Sequence, residues 1–169
     1  VSTSDDSVVG KFQHELKEAK NYAEVWQIVK ATVQTSLGKH RAGMMLFLDD
    51  LPLQLGAYHP VGTNNIVLNR TLVDVVEASE KSRFVVNALI YNLLLHEYLH
   101  ALGDLSEEGV KRNVVVVAQK CFGSEHLTTI IARRSPWSLL KGIPVAAINA
   151  PKRVLQIVKD FEKTSKYIV

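Results

Sequence analysis

An α+β domain is the fold class this sequence predicts. Segments with apolar residues at helical spacing open the chain, and short apolar runs cut by turn residues follow between positions 43 and 70. A long apolar run at helical spacing comes next, carrying a polar triplet near its end. The 169 residues are the size of one ordinary domain, and 47% hydrophobic content can bury a core. No repeat, low-complexity tract or linker divides it, so one domain is expected over 1–169. Its parts are an N-terminal helical part (1–40), a central core (43–122) and a C-terminal extension (123–169).

The polar start "VSTSDDS" is expected to fray, and "VVGKFQHELKEA" has helical spacing. In "NYAEVWQIVKATVQTSLG", Val25, Ile28, Val29, Thr32 and Val33 make one stripe, with Asn21 as N-cap and Gly38 as the stop. "GMMLFLDD", "LGAYHP" and "NNIVLNR", separated by Pro52, Pro60 and the "GTNN" turn, predict three short strands. A short helix is expected over 71–79, and a long one over "SRFVVNALIYNLLLHEYLHALG", from Ser82 to Gly103. Ser106 caps the next helix, which starts at Glu107 and runs to about Phe122, its first-turn acids favoured by the helix dipole. "LTTIIARR" is a further helical piece, "SPWSLLKGIPVAAINAP" reads as loop, and "KRVLQIVKDFEKTSKY" predicts a closing amphipathic helix.

The 20 basic and 17 acidic residues leave a formal charge of +3, too mild to identify a nucleic-acid or membrane partner. Cys121 is the single cysteine, so an internal disulfide is excluded and a reducing interior is expected. The longest apolar segment is cut by Asn87, Asn92 and the polar triplet, and no leader-like start is present. Membrane association is therefore not expected, and the location expected is cytoplasmic.

That triplet is His96, Glu97 and His100 in "LLLHEYLHALG", an H-E-x-x-H spacing. On a helix, residues four apart share a face, so both imidazoles can reach one ion while Glu97 reaches a water beside it. Two neutral histidines can hold Zn²⁺ at about 2.0 to 2.1 Å and leave a position open for water, for which Glu97 is the general base. Burying three such groups in an apolar run without a task would cost stability.

A catalytic zinc usually has three protein ligands. The metzincin continuation requires a histidine where this chain has Ser106, whereas gluzincins take a glutamate from the following helix, which here begins Glu107-Glu108. Val110, Val114, Val117 and Cys121 form that helix's buried stripe; extending it back by three reaches Glu107, while Glu108 falls with Lys111, Arg112 and Val115. Glu107 is preferred, with Asp104, Glu108 and His126 as alternatives.

"GAYHPVGTNNIVLNR", a helix, and then "LLLHEYLHALG" together resemble the small zincin metallopeptidases, particularly the compact gluzincin-like branch of bacteria and archaea. The resemblance covers roughly 43–122. It implies a zincin-like fold, one Zn²⁺, and a peptide or protein substrate held backbone-to-backbone along a strand edge, either 55–59 or 65–69. It also implies that His59 or Tyr58, at the end of one strand, stabilises the developing oxyanion, with His59 preferred.

Two other classes remain. A metal-dependent nuclease would use a similar histidine pair, and "ARR" at 132–134 fits it, but Glu97 and Ser106 count against it. A silent or latent zinc-binding interaction domain would use the metal for stability, or place "PWSLLKGIPVAAI" in the peptide cleft.

Overall fold

The computed structural model describes residues 3–80, 82–143 and 152–162. Helices α1 (Thr3–Glu18) and α2 (Tyr22–Leu37) are followed by strands β1 (Met45–Asp49), β2 (Ala57–Tyr58) and β3 (Asn65–Asn69). Next come α3 (Arg70–Glu80), α4 (Arg83–Ala101), α5 (Glu107–Phe122), α6 (Leu127–Arg134), a 3-10 turn at Pro136–Leu140, and β4 (Gln156–Ile157). The class is α+β, with six α-helices and one mixed four-stranded sheet among the described residues.

α4 is the axis of the fold. From Val86 to Leu95 every residue is buried, so the helix has no solvent face there and must be enclosed by its neighbours. α1, α2, α3, α5 and α6 pack around it, and β2 and β3 lie against it. Its two buried asparagines are satisfied by neighbouring backbone: Asn87 Nδ2 donates to Leu16 O and Ala19 O at 2.9 and 2.8 Å, and Asn92 Nδ2 to Ala88 O and Thr128 O.

The sheet runs β2-β3-β1-β4. β1 and β3 are parallel, Met45 opposite Asn65 through Asp49 opposite Asn69, while β2 and β4 add antiparallel edges on opposite sides. Buried Asn69 organises the loop between β1 and β2. Its Nδ2 lies 3.1, 3.1 and 2.9 Å from the carbonyls of Leu51, Pro52 and Leu55, and its Oδ1 accepts from the N–H of Leu51 and Thr71. That network sets Leu55 and Gly56 against α4 so closely that a Cβ on Gly56 would stand 2.7 Å from Leu93 Cδ2.

Predicted caps are present at Asn21, whose side chain accepts from Glu24 N, at left-handed Gly38, and at Ser106, which accepts from Gly109 N. Ser82 precedes α4 but makes no side-chain cap bond, and α1 already begins at Thr3, inside the stretch expected to fray.

The closing segment departs from expectation. Residues 152–162 form no helix: β4 pairs with β1, Phe47 opposite Ile157 and Leu48 opposite Gln156, 159–162 turn, and the rest of the expected helix, 163–167, lies outside the described residues. The apolar and charged residues that suggested an amphipathic helix are claimed by other elements. Phe161 stacks on Trp26 with ring centroids 4.8 Å apart, and Glu162 accepts from Trp26 Nε1 at 3.0 Å and Lys30 Nζ at 2.6 Å. Arg153 grips Asp50 through Nη2 and Nε at 2.7 and 3.1 Å. Of the stretch expected to be loop, 136–140 forms the 3-10 turn, and 144–151 lie outside the described residues. No described helix is long and apolar enough to cross a membrane.

Candidate metal centre

The C-terminal turns of α4 and the first turn of α5 meet at three side chains. His96 Nε2 lies 3.1 Å from Glu107 Oε2, and His100 Nε2 lies 2.7 Å from Glu107 Oε1. Candidate donor atoms of the three residues all fall within 4.8 Å of one another. Donor atoms around a tetrahedral ion with bonds of about 2.1 Å stand roughly 3.4 Å apart, so small side-chain adjustments would bring these three groups onto one ion.

The short connection after α4 brings this about. Leu102 N–H donates back to Tyr98 O and Gly103 N–H to His100 O, Gly103 takes φ +114°, and Ser106 then caps α5. Asp104 N–H returns to Leu99 O at 3.3 Å. The chain reverses within five residues, which is how a glutamate only seven positions beyond His100 faces it.

Hydrogen-bond arithmetic favours a cation among these groups. His100 Nδ1 donates to Asp104 O at 2.7 Å, which fixes the tautomer and leaves Nε2 as the acceptor of the neutral ring. A neutral Nε2 at 2.7 Å from a carboxylate oxygen sets two lone pairs against each other. Positive charge must lie between them, as a proton or as a metal ion. The set of two imidazoles and a carboxylate fits Zn²⁺ by ligand type, and the negative end of the α4 dipole favours a cation there. Burial holds the His96 imidazole below its ordinary pKa despite Glu107, favouring the neutral, metal-binding form. For Glu107, burial pulls the carboxyl up, but the two histidines together outweigh it and hold it below the usual range.

Glu97 points elsewhere. It is 6% exposed, lines a cavity of about 720 Å³, and has no hydrogen-bond or ion-pair partner among the described residues. Burial pushes its carboxyl up to about 7, with the His100 charge opposing and Glu107 adding to the rise. The same cavity is lined by His96 and Glu107, by Leu55, Gly56 and Ala57 of the sheet edge, and by Ser135, Pro136 and Trp137. Trp137 closes one side, its Nε1 donating to Leu53 O at 2.5 Å.

The alternative ligands are occupied elsewhere. The Asp104 carboxylate accepts from Ser106 N–H at 3.1 Å and, more weakly, from Asn113 Nδ2, so it ties the loop to α5. Glu108 is exposed and sits 3.7 Å from Arg112. His126 Nδ1 accepts from Thr128 N–H at the start of α6, and its ring stacks on Phe122 at 5.0 Å. His59 and Tyr58 do not line the cavity; His59 Nδ1 lies 2.8 Å from Asn65 O, tying the ring to the β2–β3 hairpin. Of the two strand segments considered for a cleft, 55–57 reaches the cavity and 65–69 does not.

One lining residue escaped the sequence reading. Asn92, one turn before His96, spends both amide hydrogens on Ala88 O and Thr128 O, which leaves Oδ1 as its available acceptor in the cavity wall. Its signal was an amide four residues before a histidine on a buried helix, read only as an interruption of an apolar run. Against family models, curated proteins and solved structures, the chain finds no match.

Proposed function

We propose that the chain is a zinc-dependent metallopeptidase of zincin-like architecture, with His96, His100 and Glu107 holding the ion and Glu97 as general base. The observation that carries the reading is the convergence of both imidazole Nε2 atoms on Glu107, beside a buried carboxylate that opens to a cavity. Bound there, Zn²⁺ would supply Lewis-acid activation of water and polarisation of the scissile carbonyl.

The chain's own groups account for the rest. The Asp104 carbonyl orients His100 through Nδ1–H. Glu97 takes a proton from the attacking water. As the water oxygen bonds to the carbonyl carbon and the C–N bond breaks, Glu97 returns that proton to the leaving nitrogen. Burial raises this carboxyl, which favours its taking a proton, and a bound cation would counter that rise and favour its giving the proton up. Leu55, Gly56 and Ala57 form the sheet-side wall against which a peptide would lie, and the buried walls limit bulk water. Of the segment considered for tail occlusion, Pro136 and Trp137 line the cavity wall and 144–148 lie outside the described residues, while 152–162 lie at the β1 side of the sheet, the edge opposite β2.

Peptide hydrolysis should be assayed on the zinc-equilibrated full chain beside Glu97→Gln, with bound zinc measured in both. Turnover lost with zinc retained supports the reading; equal turnover in the two proteins sinks it. Zinc bound by both, with no hydrolysis of a peptide library by either, would point instead to an interaction domain stabilised by metal.

A further inference from the structure

The cavity carries four basic side chains, Lys111, Arg112, Arg133 and Arg134, and two of them are already engaged. Arg112 sits 3.7 Å from Glu108, and Arg133 donates to Ser124 O and Gln119 Oε1 at 3.0 and 2.9 Å. Lys111 on α5 and Arg134 at the end of α6 have no ion-pair or side-chain hydrogen-bond partner among the described residues. They face the same cavity as the candidate general base.

Position on the helix turns this into a spacing. Lys111 lies four residues beyond Glu107, on the same face of α5. At 1.5 Å per residue its Cα stands about 6 Å further along the axis. An extended peptide advances roughly 3.3 to 3.6 Å per residue, so that distance is one or two residues of substrate. Val114, Val115, Ile131 and Trp137 make the neighbouring wall apolar, while Lys111 and Arg134 are themselves exposed, so their attraction for a carboxylate falls with added salt.

Resting on the peptidase reading and deepening it, we propose that this part of the cavity is a carboxylate subsite. Lys111 and Arg134 receive a C-terminal carboxylate or an acidic side chain one or two residues from the scissile bond. Asn92 Oδ1, the fixed acceptor in the wall, takes an N–H of the same peptide. A nucleic-acid strand fits less well, because repeated phosphates call for a longer track of free cations than these two, and the wall between them is apolar.

The test reads binding, in zinc-equilibrated full chain carrying Glu97→Gln to block turnover. Two probe pairs are titrated by calorimetry: trialanine against trialanine amide, and an N-acetyl tripeptide amide with central glutamate against its glutamine counterpart. A charged probe is expected to bind about fivefold tighter than its neutral partner, with the gap collapsing in Lys111→Met and narrowing in Arg134→Met. The trialanine pair reports a terminal carboxylate and the other pair a side chain. Equal binding within both pairs, a gap that survives Lys111→Met, or tighter binding of a trithymidylate probe would overturn the subsite. Cleavage of the same probes is assayed separately with Glu97 intact. A carboxylate gap without cleavage leaves the subsite standing and removes the hydrolase reading; cleavage without a gap does the reverse.

Discussion

Glu97 and Glu107 are one helix apart and have opposite surroundings, one buried without a partner and the other held by two imidazoles. Glu97→Gln is therefore expected to keep zinc while kcat falls about 10²- to 10⁴-fold, measured with peptide substrate and metal analysis on one sample. Glu107→Ala should instead weaken zinc itself by an order of magnitude or more, seen by competition with a chromophoric chelator. That His96 and His100 share a face was legible from helical periodicity; the buried-stripe argument for Glu107 over Glu108 is not what brings Glu107 to them, since its side chain is largely exposed and meets the histidines through the tight turn after α4. The standing of Asp104, His126 and His59 was not legible, because each answers to backbone that only the folded chain brings near. Asp104 bonds Ser106 N–H, His126 caps α6, and His59 meets Asn65 O across a hairpin.

Among the elements, the segment before β2 is the most sensitive to small change. Gly56→Ala would drive a Cβ into Leu93 of α4, and a destabilisation of about 1 to 3 kcal/mol is expected from urea unfolding. Asn69→Ala removes the side chain that holds Leu51, Pro52 and Leu55, and should cost about 1 to 3 kcal/mol, since it breaks several side-chain-to-backbone bonds at once. β1, β3 and the motif helix were readable from runs of apolar residues bounded by turns, and so was the 55–60 strand, if overlong. β4 was not: "VLQIV" has the composition of a helix face, and only the open edge of β1 and the Trp26–Phe161 stack decide against it. Tertiary partners override local preference most readily in short segments, where propensity sums to little.

At the scale of the molecule, the C-terminal residues fasten the sheet to the helices through charge. Asp50 accepts from Arg153, Arg70 and Thr71, and Arg153 also reaches Asp74 at 2.8 Å. The bonds from Arg153 and Arg70 hold the Asp50 carboxyl far below its ordinary value, although burial opposes them. A carboxyl depressed in the folded state adds stability above its unfolded pKa of about 4, and that contribution is lost as pH falls toward the folded value. Urea midpoints should thus drop below about pH 4, and Asp50→Asn should lower stability at neutral pH while making that acid-side drop shallower; an unchanged acid slope would contradict the role given to this network. The α+β class followed from the hydrophobic pattern, whereas the fastening of a distant tail to β1 depends on contacts no local window contains. The most direct test of the central claim is zinc per chain, by elemental analysis of protein purified without chelator, in the wild type and in His100→Ala. About one zinc per wild-type chain, lost in the variant, is the predicted result. A wild type that stays empty after zinc is added, or a variant that binds as well as the wild type, would contradict a metal centre at His96, His100 and Glu107.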